Sequence, residues 1–326
     1  MIDKDLGVNY FSLEEYINKI EISEQVKDHL EYTVDCFLEY LEKILKYDVK
    51  YINKYWIYLL YNELKSNQAI EDYNPHNIDK IPDRLLSDSL IMTNQKIHEL
   101  HDIIMQGTNK DGFEYRKTPV KISSVKPNGE ETVFYYGVNN EDVDKFMNDF
   151  IKVYNHIGYN FLKDLIQKYK NATNQEEKDR TLLKCAFLKS ALLHLLFIRI
   201  HPYRDGNGRT ARVLQNLEFI GFLSKINGVN LKQSPINLSR SIQTNKITYV
   251  KILDNLAFNN KDDDNELINK WFDFMLNMAD EQIYMSSNQA DRIDDRFLKE
   301  LDEAVAEIGN EDPRDNGVEQ LKRRYK

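Results

Sequence analysis

Residues 201–212 read HPYRDGNGRTAR, so that an imidazole, a carboxylate, two glycines and a pair of arginines three residues apart stand close together. An apolar run at residues 191–200 precedes this stretch, and a helical spacing of apolar residues resumes at Val213. The pattern predicts a buried helix, a tight polar loop and a second helix. Gly206 and Gly208 allow the loop to turn sharply and to approach a ligand closely.

The start of the second helix has the chemistry of an anion site. The free N–H groups at a helix N-terminus, together with the helix dipole, attract phosphate groups. Arg209 and Arg212 lie on one helical face, where two guanidinium groups can bind phosphate oxygens. His201, at the mouth of the loop, supplies a base that titrates near neutral pH. These residues therefore predict a phosphate-binding loop beside a general base.

This stretch resembles the signature of the Fic family, His-Pro-Phe-x-Asp-Gly-Asn-Gly-Arg-x-x-Arg, with Tyr203 in place of the usual Phe. The resemblance implies transfer of a nucleoside monophosphate, usually AMP from ATP, onto a Ser, Thr or Tyr hydroxyl of a protein, which includes the enzyme itself. It implies that His201 is the general base. It also implies that Asp205 holds Mg²⁺ against the phosphates, as a hard cation with few protein ligands requires.

The remaining positions of the signature imply contacts with the nucleotide. The backbone near Gly206 and Gly208 and the side chain of Asn207 are expected to hold the α- and β-phosphates. Arg209 is expected to neutralise the leaving pyrophosphate, and Arg212 is placed for the γ-phosphate. Tyr203 is nearly isosteric with Phe, but its hydroxyl needs a partner or solvent.

Two predicted roles lie outside the signature. Tyr249 stands in a helix that helps to close the nucleotide pocket in Fic proteins, so it is a candidate contact for the base, with core packing as the alternative. Residues 53–72 predict a helix whose end resembles the inhibitory pattern Ser/Thr-x-x-x-Glu-Gly/Asn of the family, although Asn67 and Asp72 depart from it. Its carboxylate, Glu71, would pair with Arg212 and occupy the γ-phosphate site. The alternative is that Glu71 is a solvated residue at a helix end.

One β-hairpin is predicted at residues 117–137, where two alternating segments flank the turn residues 127–129. In Fic proteins the corresponding place holds a flap that covers the active site and binds the target segment by strand addition. Residues 112–116, GFEYR, resemble the approach to this flap. An exposed strand edge is a docking surface for an extended segment, so a target protein is the expected partner. The alternative is that the hairpin only caps the core.

Composition sets the remaining expectations for the chain of 326 residues. A net charge of −9 argues against a general nucleic-acid binder, which needs a basic surface. Cys36 and Cys185 are isolated, which indicates a reducing cytoplasm and no disulfide framework. We find neither a signal peptide nor an apolar run long enough to span a bilayer, so no membrane association is expected. Homo-oligomers are compatible with this composition.

Sparse glycine and proline and long runs of helix-forming residues predict a mostly helical, all-α fold with one small hairpin flap. Residues 1–84 are predicted to be an N-terminal helical segment that carries the inhibitory helix. Residues 85–260 are predicted to be the Fic core, including one amphipathic helix at residues 142–166. Residues 261–326 are predicted to be a helical extension with a charged tail.

Rival functions remain open. In the Doc relatives, which transfer the terminal phosphate, Lys replaces the Gly after the signature Asn, so Gly208 favours AMP transfer. Removal of AMP, which some relatives perform with the inhibitory Glu, and transfer of another nucleotide are further alternatives. A non-catalytic interaction module with the same fold is the alternative of a different class.

Overall fold

A computed structural model describes residues 13–47, 91–105, 114–125, 131–226, 235–255 and 264–291, with single helical positions between 52 and 70 and at 296, 299 and 303. The labelled elements follow in chain order: α1 (Leu13–Asn18), α2 (Glu24–Leu45), α3 (Asn94–Met105), β1 (Lys121–Val125), β2 (Glu131–Tyr136), α4 (Val143–Asn155), α5 (Asn160–Asn171), α6 (Gln175–Ile200), α7 (Asn207–Leu223), α8 (Leu238–Thr244), α9 (Lys246–Asn255) and α10 (Asp264–Ala290). The expected mostly helical fold is confirmed.

Helix α6 is the centre of the core. All of its residues from Thr181 to Ile200 are buried, because helices pack on every side of it. By length and composition α6 could cross a membrane, contrary to the expectation from the sequence, but its apolar window is wholly buried inside the fold. Trp271 of α10 donates its indole N–H to the carbonyl of Ala191 (2.8 Å) and fixes α10 against this helix. Helix α7 returns along α6, so the loop between them opens at one end of the core.

The predicted helix at residues 142–166 is wrong as a single element. The structure has two helices, α4 and α5, because the chain becomes extended at His156, where φ is −114° and ψ is 146°. The apolar periodicity continues on both sides of this break, which is why the sequence pattern concealed it. The break allows α5 to turn and pack on α6.

Strands β1 and β2 pair antiparallel, with Val125 opposite Glu131 and Lys121 opposite Tyr136, and a register shift lies between Ile122 and Ser123. The predicted turn at residues 127–129 lies outside the described residues. At the open end of the pair, the N–H of Gly137 donates to the carbonyl of Val120 (3.3 Å). This geometry is that of a hairpin, whereas a role as a target-binding flap stays a prediction.

Ser23 caps helix α2, since its Oγ accepts a hydrogen bond from the N–H of Val26 (3.3 Å). His29 on this helix lies between two carboxylates of α10, with Nδ1 at 2.6 Å from Asp273 and Nε2 at 2.8 Å from Asp280. Burial disfavours the imidazolium, but the two hydrogen bonds outweigh it and raise the pKa of His29 above its ordinary value of 6.5. His29 thus joins α2 to α10, and this setting favours its charged form.

We expect His29 to stabilise the protein most at acidic pH. A raised folded-state pKa contributes stability that is full below about pH 6.5 and is lost as the pH rises through the folded pKa. The gap in urea midpoint between wild type and His29→Gln should therefore shrink from pH 5.5 to pH 8.5. The matched control is His156→Gln, at an exposed histidine of the α4–α5 loop. A gap that is constant or widens with pH would refute the proposed charge state.

Candidate active site

His201 ends α6 in the left-handed conformation, with φ 52° and ψ 60°. Its backbone N–H donates to the carbonyl of Phe197 (3.0 Å), and its ring Nδ1 lies 3.2 Å from the carbonyl oxygen of Ile198. Because a carbonyl only accepts hydrogen bonds, Nδ1 must carry the proton. In the neutral ring the other nitrogen, Nε2, is therefore the basic one, the atom that can take up a proton. This is the arrangement that a general base requires.

The loop after His201 is closed by backbone and side-chain hydrogen bonds. Asn207 accepts from the N–H of Tyr203 (2.9 Å) through Oδ1 and donates to the Tyr203 carbonyl (2.7 Å) through Nδ2. Both polar atoms of Asn207 are therefore engaged within the loop, so in this conformation its amide shapes the loop, whereas the sequence predicts a phosphate contact. Gly206 has φ 76° and forms the N-cap of α7, whose first N–H groups face the loop.

Asp205 and Arg209 flank the N-terminus of α7. The Asp205 side chain is 75% exposed, and its Oδ1 accepts from the N–H of Gly206 (2.5 Å) and from Nη2 of Arg209 (3.2 Å). The Arg209 side chain is only 3% exposed. The carboxylate thus faces solvent while the guanidinium is held beneath it, and the two charges lie beside the helix N-terminus.

A layer of aromatic rings and histidines supports the loop from below. The hydroxyl of Tyr203 lies 2.7 Å from His98 Nδ1. His98 is therefore the partner that this hydroxyl, which a Phe at position 203 would lack, needs in the core. The ring of His101 stacks on Tyr203, with centroids 3.6 Å apart, and its Nδ1 is 3.1 Å from the hydroxyl of Thr210. Burial lowers the pKa of His98, against the opposing charges of Asp144 and Glu114, which favours the neutral ring. Both histidines lie one turn apart on α3.

This layer is not among the features predicted from the sequence. The one sign of this layer in the sequence is the spacing of three residues between His98 and His101, which brings both rings to one helical face. The pairing with Tyr203 depends on how α3 packs against α7, and no local pattern encodes that packing.

The described helical residues between 52 and 70, which we call the 52–70 segment, hydrogen-bond Arg212 through Asn67. Arg212 Nε donates to Oδ1 of Asn67 (2.5 Å), and its Nη2 donates to the Asn67 carbonyl (3.2 Å). Asn67 Nδ2 in turn donates to the carbonyl of Arg209 (3.1 Å). A residue that departs from the inhibitory pattern therefore holds the second signature arginine. Glu71, predicted to do so, lies outside the described residues.

Glu63 lies one turn earlier in the same segment and is 5% exposed. Its carboxylate accepts from the N–H (2.9 Å) and hydroxyl (2.5 Å) of Ser239 and from Nδ2 of Asn216 (2.6 Å). Burial raises the pKa of Glu63, although these donors and the charge of Arg212 partly offset it. Glu63 thus joins the 52–70 segment to α7 and α8, and the sequence offered no sign of this role.

Tyr249 is buried in the core. Its hydroxyl lies 2.9 Å from Nε2 of His194, whose Nδ1 is 2.6 Å from Oε1 of Gln215. Burial lowers the pKa of His194 to about 3, so this histidine is neutral and structural. The same contact favours the alternative role of Tyr249, packing in the core, over contact with a nucleotide base.

The sequence of residues 91–218 matches the model of the Fic/DOC family. The match runs from just before α3 into α7 and includes the hairpin, His201 and the loop. The fold is similar to the crystal structure of a Fic family protein from Desulfovibrio desulfuricans G20, with a TM-score of 0.50 and 16% identity over 84% of this chain and 78% of that one. Identity this low shows the fold alone.

A second similar structure is that of a Fic domain containing signaling protein from Bacteroides thetaiotaomicron VPI-5482. It is 19% identical over 74% of this chain and 72% of that chain, with a TM-score of 0.37. The family match covers the segment that holds the loop, its supporting histidines on α3 and the two signature arginines. Residues 91–218 are therefore similar to the Fic/DOC family, and this similarity covers less than half of the chain.

Proposed function

We propose that this protein is an adenylyltransferase that moves AMP from ATP to a hydroxyl side chain of a protein. The observation that carries the proposal is His201, whose Nδ1 donates to the carbonyl of Ile198, which makes Nε2 the basic nitrogen of the neutral ring. It stands at the mouth of a loop whose far side is the N-terminus of the 17-residue helix α7. A base beside an anion site is the pair of features that transfer to a hydroxyl requires.

The site fits Mg²⁺ that arrives with a nucleotide. Among the described residues, no group of three or more His, Cys, Asp or Glu side chains is arranged to hold a metal ion. Asp205 supplies one exposed carboxylate, and Mg²⁺ commonly takes one or two carboxylates and completes its shell with phosphate oxygens and water. When bound, Mg²⁺ would neutralise phosphate charge. The residues of this chain supply the base, the N–H donors and the guanidinium groups.

In the proposed reaction, Nε2 of His201 takes the proton of the target hydroxyl as the hydroxyl oxygen attacks the α-phosphorus. A P–O bond forms to the target, and the bond between the α-phosphorus and the bridging oxygen of pyrophosphate breaks. Pyrophosphate leaves with the electron pair, and Arg209 would neutralise the charge that develops on it. The N–H groups at the start of α7 would hold the phosphate oxygens while this occurs.

Regulation by the 52–70 segment is part of the proposal. Asn67 engages the Nε and Nη2 of Arg212, the guanidinium proposed to bind the γ-phosphate. ATP would have to displace or share this contact to bind productively. We propose that the segment, together with Glu71, restrains the enzyme, and that leaving the site raises activity.

The test follows each phosphorus of ATP onto protein. Wild type, Glu71→Gly and His201→Asn are incubated with Mg²⁺ and ATP labelled at either the α- or the γ-phosphorus, and the protein is then weighed by mass spectrometry. We expect α-label only, a mass gain of one AMP, more labelling in Glu71→Gly than in wild type, and none in His201→Asn.

Other outcomes separate the rival functions. Transfer of γ-label would indicate a phosphotransferase and would contradict the proposal. Loss of AMP from a protein modified beforehand, without net labelling, would indicate AMP removal. Equal labelling of wild type and Glu71→Gly would keep the transferase and discard restraint by Glu71. No transfer from any nucleotide to the protein or to cell extract would favour the interaction module.

A further inference from the structure

Arg116 is a charged residue inside the core beside the site. It is 1% exposed, and its guanidinium donates to four backbone carbonyls. Nε binds His201 (2.7 Å), Nη1 binds Thr118 (2.9 Å), and Nη2 binds Val138 (2.5 Å) and Ile200 (3.4 Å). Neither the loop signature nor the proposed reaction assigns a role to it.

These carbonyls belong to two different parts of the site. His201 and Ile200 are the end of α6, while Thr118 and Val138 lie on the two sides of the open end of the β1–β2 hairpin. The backbone N–H of Arg116 also donates to the carbonyl of Pro202 (2.9 Å). One rigid, planar group therefore joins the base-bearing end of a helix to both legs of the hairpin.

The end of α6 needs such a partner. The last carbonyls of a helix have no N–H partner inside the helix, and the negative end of the helix dipole lies there, so a cation is favourable. His201 also adopts a left-handed φ, which persists only where its surroundings impose it. The hydrogen bond from Arg116 Nε to the His201 carbonyl is one contact that does so.

The hairpin is packed tightly against the same place. A Cβ built on Gly137 would lie 2.8 Å from Nη2 of Arg116 and 3.0 Å from the Cβ of His201. The exit of the hairpin thus touches both the guanidinium and the base-bearing residue, so displacement of one disturbs the other.

We infer that Arg116 is a positioning residue that fixes His201 and the hairpin in one common frame. Its guanidinium holds the backbone of His201 so that Nδ1 reaches the Ile198 carbonyl and Nε2 remains the accepting atom. By binding both legs of the hairpin, it also sets where a segment docked on the hairpin lies relative to that atom. The kinetic consequence rests on the proposed function, whereas the effect on the His201 ring does not.

A matched control separates positioning from mere burial. Arg199 lies on α6 and, like Arg116, is almost fully buried, at 2% exposed, but its guanidinium donates to the carbonyl of Leu253 on α9, which is not part of the hairpin. Arg199→Met and Arg116→Met each remove a buried cation from the core. Arg116→Lys keeps a charge but loses the planar fork, and it serves as a milder variant if Arg116→Met folds poorly.

The first measurement is the tautomer of His201, read by ¹⁵N NMR of the imidazole nitrogens and assigned with His201→Asn. We expect a protonated Nδ1 in wild type and in Arg199→Met. In Arg116→Met and Arg116→Lys the proton should move toward Nε2, the form that free imidazole prefers. An unchanged tautomer in both Arg116 variants would overturn the inference, whether or not the protein transfers AMP.

The second measurement is kinetic. Transfer by Arg116→Met should fall about 10- to 100-fold in kcat, the scale of an ångström-sized misplacement of a reacting group. The Kd for ATP should stay within about threefold of wild type, because no nucleotide contact is removed. A fall in kcat no larger than that of Arg199→Met would overturn the positioning role. A tautomer shift in a protein without transferase activity would support positioning and reject the proposed function alone.

Discussion

Replacement of His201 by asparagine is expected to abolish nearly all transfer. A positioned general base contributes about 10²- to 10⁴-fold to rate, and the asparagine amide has no basic group near neutral pH. Asparagine tolerates the left-handed conformation that residue 201 adopts, so this substitution removes the base without adding backbone strain. Initial rates with α-labelled ATP measure the effect, and the urea midpoint should change little.

Two controls sharpen this test. His201→Ala removes the base but also imposes the left-handed strain, so it should be as inactive and somewhat less stable. His194→Gln changes a buried histidine of the same helix that binds Gln215 and Tyr249. It should lose stability and leave the rate per folded molecule nearly unchanged. Transfer by His201→Asn within about tenfold of wild type would contradict the assignment of the base.

Replacement of Gly206 by alanine is expected to damage both the fold and the site. The φ of 76° costs a residue with a Cβ about 1–2 kcal/mol. The new Cβ would clash with Sδ of Met105 and lie 2.8 Å from Cε1 of His101, which adds an overpacking cost of about 1–3 kcal/mol. The free energy of unfolding, measured with urea, should therefore fall by about 2–5 kcal/mol, the sum of these two costs. The first N–H groups of α7 would shift with the loop, so transfer should fall as well.

The neighbouring glycine gives the matched comparison for stability. Gly208 lies inside α7 and does not have a positive φ, so alanine fits its backbone without that strain. Asparagine tolerates the left-handed conformation better than alanine. Gly206→Asn should therefore lose less stability to backbone strain than Gly206→Ala, whereas the cost of overpacking should remain. Equal unfolding free energies for Gly206→Ala and Gly208→Ala would refute the argument from backbone conformation.

Local patterns in the sequence were sufficient for the elements nearest the loop. The apolar run before His201 predicts α6, and the spacing from Val213 predicts α7, because a helix brings residues that are close in sequence to one face. The cap at Ser23 and the strand pair around residues 121–136 follow from equally local chemistry. The same reasoning failed at His156, where an extended residue interrupts an unbroken apolar periodicity.

The sequence by itself determined the composition of the loop, the base and the paired arginines, since twelve consecutive residues carry them. Only the tertiary structure decided which groups hold them. Asn67 binds Arg212 across 145 residues of chain, and Arg116 reaches the carbonyl of His201 across 85. Such contacts depend on how whole helices pack, because the backbone carbonyls and amides they use are common to every residue and leave no pattern in the sequence.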